Sequence, residues 1–168
     1  MSGRRWAHAI IDLDAIAHNV RTISAIGDRD VWVVVKADAY GHGAVPVARA
    51  ALAAGATGCC VALVQEGLEL RAAGIDAPIL LFSEQPHDQL AEAVAASLTP
   101  TVYSQATIDA LAEIRRSLGG APIDVHVKVD TGMQRVGAHV DDAPRLLRAV
   151  LDAPDVRLAG VFTHLAVA

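Results

Sequence analysis

The chain is poor in several things, and each shortage narrows the field. Only two of its 168 residues are cysteine, Cys59 and Cys60, and they are adjacent inside an apolar run. Adjacent cysteines make neither a disulfide framework nor a metal-ligand spacing, and a reducing cytoplasm is their natural compartment. No apolar run approaches about 20 residues, which excludes a bilayer-spanning helix. Positive charge is in the minority: 14 Lys and Arg face 19 Asp and Glu, for a net charge of −5. With a pI near 5.7, this argues against a nucleic-acid partner or an anionic membrane surface. The start, Met1-Ser2-Gly3-Arg4-Arg5-Trp6, is basic but lacks the apolar stretch of a signal peptide. There is no internal repeat, low-complexity tract or linker, so no second domain is visible. Lysine is scarcest of all. Of the 14 basic residues, Lys36 and Lys128 are the only lysines; the other 12 are arginine. Arginine replaces lysine on most surfaces but not where an amine must react.

What is present is apolar. At 53% hydrophobic residues, the chain has ample surface to bury and is not a disordered segment. Ala7–Leu13 reads as a short strand, with Asp14 capping a helix over Ala15–Ile26 that stops at Gly27. Apolar runs then alternate with helical segments. The expected strands are Val31–Val35, Gly58–Leu63, Pro78–Phe82, Leu98–Tyr103, Ile123–Val129 and Val156–Phe162. The expected helices are Ala44–Ala54, Val64–Ala73, Asp88–Ala96, Gln105–Ser117 and Asp142–Leu151. Strands alternating with helices across short Gly- and Pro-marked connections predict a parallel α/β fold. No G-x-G-x-x-G follows the first strand, which weighs against a doubly wound nucleotide-binding sheet. The alternative is a (β/α)8 TIM-type barrel, of which about six parallel strands are present after the short N-terminal strand and helix. Residues 1–168 are therefore expected to form an incomplete barrel domain.

In such a barrel, chemistry sits at the carboxyl ends of the strands. Lys36 leaves an apolar strand at that end, where lost hydration frees an amine as nucleophile or base; the competing reading is a lysine whose stem packs while its charge reaches water. Tyr40 follows, beside the Gly41-His42-Gly43 turn, and its phenol can serve an anion. His126, Lys128 and Asp130 share one strand face by period two. Three ionisable groups on one face need partners, so they form either a site or a buried ion-pair network. Arg135 follows in the next loop, where a guanidinium can clamp a carboxylate. His164 ends the last strand, as either a site residue or a satisfied core histidine.

The run Val34-Val35-Lys36-Ala37-Asp38-Ala39-Tyr40-Gly41-His42-Gly43 resembles the pyridoxal-phosphate attachment signature of alanine racemases. Ile11-Asp12-Leu13-Asp14-Ala15 and His18-Asn19-Val20 are similar to the family's opening. Val127-Lys128-Val129-Asp130-Thr131-Gly132-Met133 with Arg135 and Gly137, then Gly160-Val161-Phe162-Thr163-His164, resemble later blocks in the family's order. The resemblance runs from Trp6 to Ala168. It implies an N-terminal barrel followed by a mostly β C-terminal domain, in a homodimer whose sites draw on both subunits. It implies that Lys36 holds pyridoxal 5'-phosphate as a Schiff base and acts as one of two catalytic bases. It further implies that Tyr40 binds the cofactor phosphate and that His164 lies against the cofactor ring. Lys128 matches a lysine often carbamylated in the family, orienting Arg135 toward the cofactor's phenolic oxygen and the substrate carboxylate. The implied reaction interconverts L- and D-alanine and supplies D-alanine for peptidoglycan of the bacterial cell wall. The opposite base and the β domain have no counterpart in this sequence, so a fragment without full activity is expected. Tyr103, the only other tyrosine, does not suit that second role. Two rivals are a racemase of serine or broader specificity and a non-catalytic pyridoxal-phosphate homeostasis module.

Overall fold

A computed structural model describes residues 8–167. Its backbone of elements is α1 (Leu13–Gly27), β1 (Trp32–Val34), α2 (Lys36–Gly41), α3 (Ala44–Ala53), β2 (Gly58–Val61), α4 (Val64–Ala72) and β3 (Ile79–Leu81). There follow α5 (His87–Ala95), β4 (Thr101–Val102), α6 (Gln105–Leu118), β5 (Ile123–Asp130), β6 (Ala138–His139), α7 (Ala143–Asp152) and β7 (Val156–Thr163). All strand pairs are parallel. The chain runs through them in order: β1-β2-β3, a single Leu80–Thr99 bridge, then β4-β5-β7. The six expected strands are these six.

The sheet curls. β1 and β5 lie four strand spacings apart, about 19 Å along a sheet. Yet the Trp32 ring on β1 and the His126 ring on β5 have centroids 6.0 Å apart. Only a rolled sheet brings them together, so the fold is an open arc of a (β/α)8-type barrel. Period two then sorts the side chains. Val33 and Val35 of the β1 segment, Cys59 and Val61 of β2, and Ile79 and Leu81 of β3 pack outward under α1, α3 and α4. Val125 and Val127 of β5 pack outward with Leu90, Leu111, Leu146 and Val150 from the helices. Each fully buried aliphatic side chain contributes roughly 1.5–3 kcal/mol. The inward set holds Trp32, Phe82, His126, Lys128 and Phe162. Glycine makes room for two of these rings. A Cβ on Gly58 would lie 2.6 Å from the Trp32 ring, and one on Gly160 would lie 2.7 Å from the His126 ring.

The structure departs from the sequence reading in three places. Residues 8–12 form no strand, and α1 starts at Leu13, capped by Asp12 and not by Asp14. The Asp12 carboxylate accepts the Asp14 and Ala15 N–H groups, both at 3.0 Å, while Asp14 lies in the first turn, where its charge favours the helix dipole. An extended segment with no neighbouring strand has nothing to pair with, and Ile10 is 91% exposed. Ala7, the first residue of that expected strand, lies outside the described residues, as does the basic start. The fourth strand shrinks to two residues because Pro100 has no N–H for the ladder. Finally, Lys36–Gly41 is a turn of helix of the wrong hand, which no periodicity announced.

Candidate active site

Lys36 follows β1 directly, and the chain then turns left-handed. Ala37, Asp38, Ala39 and Tyr40 all have φ between 50° and 54° with ψ between 40° and 49°. Four consecutive L-residues in this region cost on the order of 4–8 kcal/mol, so the turn must be held. Ala39 N–H donates to the Val35 carbonyl at 2.9 Å, and Gly43 N–H to that of Asp38 at 2.9 Å. The Asp38 carboxylate accepts the Ala44 N–H at 2.7 Å, fastening the turn to the start of α3. The Glu66 carboxylate accepts the Ala37 N–H at 2.7 Å. The turn sets Tyr40 beside the amine that precedes it: Lys36 Nζ lies 5.8 Å from the Tyr40 ring centroid.

Lys128 lies within β5 and is only 5% exposed. Its Nζ donates to the Phe82 carbonyl at 2.9 Å and sits 5.4 Å from the Phe162 ring centroid. Burial pushes its pKa below the ordinary lysine range. The charges of Arg135 and Lys36 push the same way, and Asp130 opposes them. Two residues earlier, burial also lowers the pKa of His126, against the pull of Asp124. Two residues later, Asp130 accepts N–H groups from Gly132 at 2.9 Å and Gln134 at 3.0 Å. These bonds hold its carboxyl below the usual range and fold the loop that carries Arg135. Asp130 is thus a loop-former, while Lys128 is the buried member of the trio. The exits of β5 and β7 are joined by the Thr131 and Thr163 hydroxyls, 2.7 Å apart.

Lys36, Tyr40, Lys128, Arg135 and His164 all line one cavity of about 290 Å³. The structure thus brings these five together, whereas His126 and Asp130, which share the strand face of Lys128, do not line the cavity. It adds Phe82 and Phe162, whose rings stack with centroids 6.0 Å apart beneath the cations. Both are the last inward residues of expected strands, so their position was legible although their part in the wall was not. The cavity wall carries two lysines, an arginine and a histidine, and no Asp or Glu. The protein as a whole carries a charge of −5, so this positive wall is a local arrangement. The two cysteines play no part in it: burial pushes Cys59 up to about 11 and Cys60 up to about 12, which keeps them as inert thiols.

Residues 11–168 match the family described as alanine racemase, N-terminal domain. The chain belongs to that family. It is 46% identical over 164 residues to an alanine racemase of Beutenbergia cavernae, covering 95% of this chain and 43% of that protein. The solved alanine racemase of Streptomyces coelicolor A3(2) superposes with a TM-score of 0.86 at 39% identity, over 94% of this chain and 43% of that one. That of Bacillus anthracis, solved with bound L-Ala-P, superposes at 0.82 with 37% identity, over 93% of this chain and 41% of that one. The chain therefore spans less than half the length of the curated relatives it matches. Among the described residues, no helix is long and apolar enough to cross a membrane.

Proposed function

We propose that this chain supplies the cofactor-binding half of a pyridoxal-phosphate-dependent alanine racemase, with alanine as substrate. The observation that carries the proposal is the acid-free cationic cavity with a lysine at the end of β1. A phosphate and a substrate carboxylate are both anions, and such a wall attracts both. The donor set fits pyridoxal 5'-phosphate: an amine for the aldehyde, a phenol and cations for the phosphate, and an imidazole and two phenyl rings beside a flat heterocycle. When bound, that group supplies an electron sink that acidifies the Cα–H of an attached amino acid.

Lys36 is the attachment point and, once its amine is free, the base on one face of the substrate. Tyr40, fixed at the end of the left-handed turn, would hold the phosphate by donating its O–H. Arg135 clamps the substrate carboxylate, for which a planar guanidinium is suited. His164 would lie beside the flat heterocycle. Lys128 would orient Arg135 once its neutral amine adds carbon dioxide and releases a proton, because the resulting carbamate turns a repulsive neighbour into an anionic one. Racemisation needs a proton exchanged on both faces. Tyr103 does not line the cavity, so the opposite base is assigned to a part of the protein beyond these residues, contributed in a homodimer. This chain alone is expected to exchange the Cα proton without racemising. The whole enzyme would supply D-alanine for peptidoglycan.

The test is direct. The chain is incubated with pyridoxal 5'-phosphate, reduced with borohydride and mapped by mass spectrometry. A single adduct at Lys36 is expected. An adduct confined to another residue, or none, would overturn the assignment.

A further inference from the structure

Glu66 lies in the first turn of α4, outside the cavity, where a carboxylate caps its own helix. Its two oxygens nevertheless join two loops at the carboxyl rim of the barrel. Oε1 accepts the Ala37 N–H at 2.7 Å. Oε2 accepts the Ala62 N–H at 2.7 Å and the Leu63 N–H at 3.0 Å. Ala37 is the first left-handed residue after Lys36, and Ala62 lines the cavity. The left-handed turn is costly, and its first N–H has no acceptor in its own turn among the described residues. A carboxylate from another element is what satisfies it.

We propose that Glu66 is the positioning residue for the Lys36 amine, acting through the Ala37 N–H and locking the β1 and β2 exits into one register. The proposal rests on the reading of Lys36 as the cofactor lysine. The same device recurs one loop pair further on. Glu84 accepts the Tyr103 and Ser104 N–H groups at 2.6 and 2.7 Å, tying the β3 exit to the β4 exit. Glu84 does not touch the Lys36 turn, which makes it an internal control.

A glutamine at position 66 offers one acceptor oxygen, so it serves one loop and presents an NH2 to the other. Two measurements on the full chain separate the possibilities. Hydrogen exchange of the Ala37–Gly43 peptide is read without any cofactor. Borohydride-trapped pyridoxal-phosphate labelling of Lys36 is read in parallel. E66Q is expected to expose the peptide and to slow labelling by about tenfold to a hundredfold, the loss that a displacement near 1 Å produces. E84Q is expected to leave both at the wild-type value. E66D, which keeps the charge but is one methylene short, is expected to fall between, and provides the test if E66Q does not fold. Unchanged exchange and labelling in E66Q, or equal losses in E66Q and E84Q, would overturn the proposal. Wild-type protein that never labels at Lys36 would overturn the functional reading instead, while exposed Ala37–Gly43 exchange in E66Q would still show the clamp.

Discussion

The two lysines sit on inward faces of the same barrel and are treated in opposite ways. On β1 the inward series is Trp32, Val34, Lys36, and the lysine comes after the strand has ended. On β5 it is His126, Lys128, Asp130, and the lysine is still inside the ladder, opposite Phe162 of β7. Lys36 is half-buried with its amine at the cavity. Lys128 is 5% exposed and spends its ammonium on one carbonyl and a ring face. The exits differ as well. After β1 four consecutive non-glycine residues are left-handed and clamped from outside by Glu66; after β5 the loop folds around its own Asp130, with Gln134 at a positive φ of 53°. On the proposed reading, the reacting amine is presented by a stiff, costly turn, whereas the supporting amine is fixed by the strand itself.

The sharpest way to break this comparison is to remove each amine in turn. Lys36→Ala is expected to abolish the borohydride-stable adduct altogether, while Lys128→Ala retains labelling at Lys36. Labelling that moves to Lys128 in the first variant would erase the distinction. The second prediction contrasts the two exits. A Cβ at Gly137, where φ is 135°, would lie 2.8 Å from the Asp130 nitrogen, which is backbone and cannot swing away. A Cβ at Gly41, where φ is 81°, meets nothing within 4 Å. Gly137→Ala is therefore expected to cost about 3 kcal/mol of stability, and Gly41→Ala about 1 kcal/mol. Denaturant midpoints with unchanged m-values check both.

The third prediction concerns Lys128 alone. Its folded pKa lies below the unfolded one, so the unfolded chain binds more protons in that window and stability rises with pH through it. At neutral pH the buried ammonium is therefore a cost. Lys128→Met in carbon-dioxide-free buffer is expected to raise the unfolding midpoint by about 2–4 °C, the shift that ~1 kcal/mol gives in a chain of this size. The gain should shrink as the pH approaches the ordinary lysine range. A midpoint that falls at neutral pH would show that the Phe82 carbonyl and Phe162 ring more than offset the desolvation.

The sequence made most of the barrel readable because its signals are local. Gly55, Gly74 and Gly119-Gly120 close or follow helices, and runs such as Ile79–Leu81 are apolar on both faces, as a covered parallel strand must be. The five cavity residues were legible for a related reason: each stands at or near a strand's carboxyl end. What stayed hidden is what depends on distant partners. Glu66 meets Ala37 across 29 positions, and no spacing rule reaches that far. The left-handed turn is hidden because Ala-Asp-Ala-Tyr has no glycine to announce it; tertiary hydrogen bonds override the local preference. The expected first strand failed in the converse way, through local alternation with no partner strand to complete it.

The smallest effect is on the acid side and tests whether the β5 face resists charge along its length. His126 lies against Trp32 and Phe162, with ring centroids 6.0 and 6.3 Å away, in space left by Gly160. Burial lowers its folded pKa below the unfolded value, and Asp124 only partly opposes this. A depressed folded pKa means that the contribution is full above the unfolded value, about 6.5 for histidine, and is lost as the pH falls below it. The wild-type midpoint is thus expected to drop between pH 7.5 and 5.5. His126→Phe, which fills the same space without a titrating ring, should reduce that drop by about 1–2 °C. The Asp124 carboxylate keeps its Arg157 hydrogen bond, its largest stabiliser, and loses only the smaller pull of His126, while Asp130 keeps its N–H partners, so most of their acid sensitivity stays in both proteins. If the two pH profiles run parallel, the His126 ring takes up its proton as easily in the fold as in water. The resistance to charge would then belong to Lys128 alone, and β1 and β5 would differ only at the position of their lysines.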